Sequence, residues 1–219
     1  MKMELKGKNL LRDQDIRLSL VEYLAKSFGG AEHFIALEAR YSENERRADV
    51  LAVSKEMHAY EIKSDVDKLD RLEDQVADYR ATFDFVTVVT TPRHIGSVRK
   101  IVSPYVGLLM VSQGLVKSVR KPKRNKRILK RNLISICAKG ALLELAGQSF
   151  QSTSIADLKK VVERDVPYEN VRTAAHEELC RRFRERYADF QEEARHPFRH
   201  VDLSLLSATE SIQANLLMA

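Results

Sequence analysis

Residues 83–90 read FDFVTVVT, a continuous apolar run rich in β-branched side chains. Such a run suits a strand covered on both faces, because a half-exposed strand alternates polar and apolar positions. A strand of that kind needs helices packed over it, and the flanking sequence supplies them. Ile16, Leu20, Leu24 and Phe28 recur every four residues, one apolar stripe of a first helix. Asp13 or Asp15 can cap its start and Gly29-Gly30 its end. Residues 33–41 (HFIALEARY), 48–53 (ADVLAV) and 58–63 (HAYEIK) read as strands. Residues 66–82 have helical spacing, 95–102 form a short helix stopped by Pro104, and 106–111 (VGLLMV) make a further strand. LVKSV can pair back onto that strand through Gln113-Gly114. The order predicts an α/β fold, a mixed central β-sheet flanked by helices.

Beyond residue 120 the character changes. KPKRNKRILKR is a dense basic run, and 131–147, 154–164 and 168–194 all read as helix. These helices cannot extend the sheet, so the expected organisation is a sheet domain over 1–127 and a helical accessory region over 128–219. The pair of helices over 154–186 lacks the glycine-bearing turn of a helix-turn-helix. The last segment, LSLLSATESIQANLLMA, reads as a terminal amphipathic helix suited to docking on a partner.

With 219 residues, 44% of them apolar, the chain can bury a core without disulfides. Cys137 and Cys180 stand far apart, outside any CxxC, and read as reduced structural thiols rather than zinc ligands. No apolar run reaches the roughly 18–20 residues of a spanning helix, and the first 15 residues lack a signal-peptide pattern. The expected location is the cytoplasm, with no membrane partner. Residues 1–131 carry 26 lysines and arginines against 18 acids, a net of +8, whereas 132–219 carry 11 against 13, a net of −2. A polyanion would therefore dock on the first part of the chain.

Asp49, Glu61 and Lys63 carry the chemistry. In a strand, residues two apart face the same side, so Glu61 and Lys63 project together while Tyr60 and Ile62 turn to the core. Asp49 begins the preceding strand of a hairpin, which brings it beside Glu61. Two converged carboxylates repel unless a positive group compensates, and a hard divalent cation, Mg²⁺ or Mn²⁺, does so. The metal would polarise a phosphate and acidify a bound water, while Lys63 orients that water or meets charge on the phosphate. The competing reading is a surface ion pair of Glu61 with Lys63 on a solvated strand face. Arg71, Gln75 and Tyr79 share one helix stripe by their spacing. Arg40, Arg46 and Arg47 flank the acids and have the fork geometry for phosphates. Ser64, directly after the lysine, is either a hydrogen-bonding neighbour of the metal or ordinary turn chemistry. The basic run over 117–131, with Lys121, Lys123 and Arg124 at its centre, has the composition of a phosphate-binding arm or of a solvated linker.

Asp49 in ADV and Glu61-Lys63 in YEIKSD resemble the signature of the PD-(D/E)xK nuclease superfamily, with Ala48 in place of the usual proline. The segments RADVLAV, HAYEIKSDVDKLDRLEDQVADY and FDFVTVVTTPRH are similar to an uncharacterised family of bacterial and phage proteins within it, over roughly residues 13–113. The resemblance implies a restriction-endonuclease-like core and metal-dependent hydrolysis of DNA, with RNA also open. Asp49, Glu61 and Lys63 would be catalytic, with Asp49 and Glu61 as metal ligands. Gln75-x-x-x-Tyr79 resembles the QxxxY element of RecB-like nucleases, which implies a catalytic part for Gln75 and a nucleic-acid contact for Tyr79 beside Arg71. Related families use an acid on the first strand as a further ligand, which points to Glu38, and resolvase-like proteins place one on the first helix, where Glu22 stands. His94 in TTPRHIG matches a position recurring after the fourth strand, with a helix-entry or phosphate-contact role. A homodimer is expected by analogy with duplex cutters. The alternatives are a catalytically silent nucleic-acid binder with the same fold, and a protein-interaction module.

Overall fold

In a computed structural model, residues 10–42, 46–147 and 153–207 are described. Helix α1 (Asp13–Ser27) leads into a meander of β1 (Phe34–Arg40), β2 (Arg47–Val53) and β3 (Met57–Lys63). Helix α2 (Leu72–Arg80) crosses to β4 (Phe85–Thr90), and α3 (Ile95–Ile101) to β5 (Gly107–Ser112), which turns back into β6 (Leu115–Arg120). The six strands lie in chain order in one sheet. Pairing is antiparallel from β1 to β3, parallel from β3 to β5, and antiparallel again at β6. The parallel steps are the ones bridged by helices, as a parallel crossover requires.

Burial follows the apolar pattern. In β4, Val86 to Thr90 are all buried, and Tyr60, Glu61 and Ile62 of β3 are each at most 5% exposed, so both faces of the sheet centre are covered. Helix α1 packs across β3, β4 and β6, and α2 on β3 and β4. The turn into β6 uses Gln113 at φ +52 and Gly114 at φ +76, two left-handed residues in succession, as a tight hairpin needs. At the edge, β6 is largely exposed and carries Lys117 and Arg120, charges that discourage edge-to-edge pairing.

After β6 come α4 (Lys130–Ile136), α5 (Lys139–Ala146), α6 (Ile155–Asp165), the long α7 (Tyr168–Glu193) and a 3-10 helix (His200–Leu206). Helix α7 lies on β1 and β2, and one apolar cluster runs from Ile16 through the sheet to Phe190 and Leu206. The sheet and the helices after residue 127 thus share a core. Arg172 of α7 ties them further, bonding Asp84 at 2.9 Å and Glu56 at 3.0 Å.

Two expected elements differ in extent. Helix α2 begins at Leu72 rather than at 66, because Asp67 accepts the Ser64 amide at 2.7 Å and Asp65 accepts the Leu11 amide at 2.9 Å, holding 64–67 as a turn. The segment expected as one helix over 131–147 is two, separated by extended backbone at Cys137 and Ala138. Of the terminal segment, only residues up to 207 lie within the described part, so the expected terminal helix falls outside it.

Candidate active site

The β2–β3 ladder runs regularly from Val53↔Met57 to Val50↔Tyr60. One residue further, Asp49 takes over with its side chain: its Oδ2 accepts the Ile62 amide at 2.8 Å. That bond fixes the carboxylate beside Glu61. On its other side, the β1–β2 pairs Leu37↔Val50 and Ala39↔Ala48 leave Glu38 opposite Asp49, with Glu38 at φ +48. A left-handed non-glycine residue is strained backbone, and such strain concentrates at functional sites.

Glu61 and Lys63 share a face as expected. Lys63 Nζ donates to Glu61 Oε1 at 2.8 Å and to Gln75 Oε1 at 2.9 Å. The pair is not the solvated one of the competing reading: Glu61 is 1% exposed and the Lys63 side chain 11%. Glu61 Oε2 is buried with no hydrogen-bond partner among the described residues. The Tyr79 hydroxyl lies close enough to Glu61 to feel its charge, but it donates to the Arg47 carbonyl at 3.0 Å. Burial, and then the neighbouring Glu61, pushes the Asp49 carboxyl up to about 7. The two carboxyls are therefore costly to ionise together, with Lys63 on Glu61 and Arg17 near Asp49 as the cations that bear on them.

The remaining expected residues divide. Gln75 reaches the site through Lys63. Glu38 is engaged by Arg17 of α1, which also bonds Asp13. Among the described residues no group of three or more acids, histidines or cysteines is disposed to hold a metal. The set present is thus Asp49 and Glu61, with Glu38 turned to an arginine. Two carboxylates still fit Mg²⁺, which binds through one or two carboxylates and keeps waters and phosphate oxygens as its other ligands. Glu22 is elsewhere, its Oε1 accepting the Phe198 amide at 3.2 Å. Arg71 is exposed at the entry of α2, Arg47 is exposed at the start of β2, and Arg40 is exposed at the end of β1.

Several expectations need correcting. Tyr79 is buried, its ring edge-on to Tyr41 and Phe83, so it floors the site rather than contacting nucleic acid. Burial raises its hydroxyl far above the usual tyrosine value, reinforced by Glu61 and Asp49. Arg46 is paired with Asp78. The Ser64 hydroxyl donates to Asp67 at 2.5 Å, turn chemistry rather than metal chemistry. Arg124, half exposed, is clasped to Glu56 through two bonds of 2.7 Å. The basic run around it is no loose arm, since the Lys123 and Asn125 amides bond the Tyr105 and Asp84 carbonyls at 2.9 and 2.8 Å. Lys121 and Lys123 remain exposed. His94 is the N-terminal cap residue of α3, a helix-entry position. Both cysteines are free, and burial raises their thiols, Cys137 to about 11.

Sequence reasoning missed Arg17, although Asp13-x-x-x-Arg17 has the spacing of a helix ion pair. It also missed Asp78, which accepts the Tyr41 hydroxyl at 2.6 Å and has no local signal.

The family model described as Bacteriophage P4 protein cII matches residues 6–207. The chain belongs to that family. Protein cII of Enterobacteria phage P4 is 36% identical over 100 residues, covering 46% of this chain and 38% of that protein. The chain thus matches well under half the length of this family relative. Among solved structures, a protein of unknown function from Silicibacter pomeroyi superposes with a TM-score of 0.45 at 15% identity, over 67% of this chain and 97% of that one. No helix among the described residues of this family member is long and apolar enough to cross a membrane.

Proposed function

We propose that the chain is a metal-dependent nuclease of the PD-(D/E)xK type that hydrolyses DNA phosphodiester bonds, with Asp49 and Glu61 as ligands of Mg²⁺ or Mn²⁺. The observation that carries this reading is the unpartnered, buried Oε2 of Glu61 beside the strongly perturbed carboxyl of Asp49. Desolvated acids of this kind are costly without a compensating cation. A bound divalent ion would neutralise both and act as a Lewis acid toward a phosphate. Lys63, held between Glu61 and Gln75, keeps its ammonium at the mouth of the pair for charge developing on the phosphate. Gln75 positions that lysine, and the exposed Arg47 and Arg71 would meet the flanking backbone. Membership of a family named for a phage protein favours phage biology over general repair or host defence. The setting proposed is the cytoplasm, and a homodimer would present two such sites to a duplex.

The ion pair of Glu38 with Arg17 favours a second reading, a nucleic-acid binder that keeps the fold without cutting. Cleavage of labelled single-stranded, duplex and branched DNA with Mg²⁺ or Mn²⁺ separates the two. The nuclease cuts at least one substrate, and Asp49→Ala and Lys63→Ala each abolish cutting. Binding without cleavage of any of them hands the case to the second reading.

A further inference from the structure

A cavity of about 500 Å³ opens at the N-terminal ends of β4 and β5. Its wall includes Arg80, Lys123, Arg124, Lys126, Arg127 and Tyr105, and no acid lines it. Thirteen lysines and arginines and not one aspartate or glutamate occur between Asp84 and Glu144, so the local chain cannot neutralise this wall. Arg124 is neutralised from outside by Glu56. Among the described residues Arg80, Lys123, Lys126 and Arg127 have no carboxylate within ion-pair distance. Arg80 and Lys123 instead lie 5.8 and 5.2 Å from the ring centroid of Tyr105, which is 51% exposed.

The wall is built rather than incidental. Besides the amide bonds already described, Asn125 Nδ2 donates to the Phe83 carbonyl at 3.3 Å, and Arg120 donates to Val106 and Ser103 carbonyls at 2.7 and 3.0 Å. Gly107 admits the segment: a Cβ there would meet Thr87 Oγ1 at 2.3 Å and Pro122 Cδ at 2.9 Å. By register, Val86 pairs with Ala59 and Val88 with Glu61, so the cavity lies two residues along β4 from the level of the carboxylates. The strand rise makes that step about 7 Å.

We propose that this cavity docks the phosphodiester backbone of a nucleic-acid strand at a point separate from the carboxylate site. Unpaired guanidinium and ammonium groups on a fixed wall release counterions when they meet phosphates. The choice of a nucleic acid as the ligand rests on the nuclease reading, whereas the cationic wall does not.

The test is anisotropy titration of fluorescent single-stranded and duplex DNA in EDTA, so that no cleavage intervenes. Lys126→Glu with Arg127→Glu, both exposed and outside the core, is compared with wild type and with the charge-matched Lys160→Glu with Arg164→Glu, exposed on α6. The proposal expects at least tenfold weaker binding in Lys126→Glu with Arg127→Glu, a log K against log salt slope shallower by roughly 1.5, and little change in the α6 pair. Equal affinity and equal slope in Lys126→Glu with Arg127→Glu, with an unchanged melting temperature, overturn it. Pyrophosphate binding with the same residue dependence, but no DNA binding, overturns the assignment to a strand. A chain that binds through these residues yet never cuts would sink the nuclease reading and leave this one standing.

Discussion

At the scale of single residues, Glu61 shows how the site is held before any metal arrives. It is 1% exposed and, among the described residues, has Lys63 as its ion-pair partner. Lys63→Met would leave a buried carboxylate without a partner, and we expect a loss of about 3–5 kcal/mol in urea unfolding. Adding Glu61→Gln should recover most of that loss, because the charge that needed a partner is gone. His58 sets a pH dependence of its own. Its ring stacks on Tyr60, bonds the Thr87 and Tyr60 hydroxyls at 2.8 and 2.9 Å, and burial lowers it from 6.5 to about 3. Between pH 6.5 and 3 the unfolded chain takes up a proton that the folded chain refuses, so stability falls as pH falls and is unaffected by this group above 6.5. Melting curves of His58→Gln should decline less steeply than wild type across that window.

Among the elements, those with strong periodicity were legible. The run 83–90 places β4, the four-residue spacing places α1, and Gln113-Gly114 places the β5–β6 turn, because each follows from local sterics and a single buried face. Glu61 and Lys63 were legible for the same reason, as strand residues two apart. The start of α2 was not, because Asp67 spends its side chain on the Ser64 turn amide and Asp65 on the distant Leu11 amide, bonds that a helical spacing does not reveal. Nor was the fixed course of the basic run, which depends on Gly107 leaving room for Pro122. Gly107→Val should force Thr87 or Pro122 aside and cost about 1–3 kcal/mol, read as a lowered urea midpoint. An unchanged midpoint would mean the segment is not seated against β5.

Across the whole molecule, the boundary near residue 127 marks a change of element type within a shared core. Phe34 of β1 meets Tyr187 of α7 with ring centroids 6.3 Å apart, and Asp84, 1% exposed, depends on Arg172, 88 residues away, and on Arg124. No local pattern reports a partner at that separation, which is why the clasp was invisible in the sequence. A fragment ending at 127 would lose Arg172 and uncover the apolar faces of β1 and β2. We expect it to show no cooperative thermal transition, and a sharp transition near that of the full chain would show that the sheet stands alone.

The central claim is that Asp49 and Glu61 together hold a divalent cation, and calorimetric titration of the full chain with Mn²⁺ tests it most directly. Wild type should show saturable binding that Glu61→Gln and Asp49→Asn each weaken at least tenfold while circular dichroism is unchanged. Binding should also tighten from pH 6 to pH 8, because Asp49 must shed a proton held up to about 7 before it can ligate. Undetectable binding by wild type, or equal binding by both variants, would contradict it.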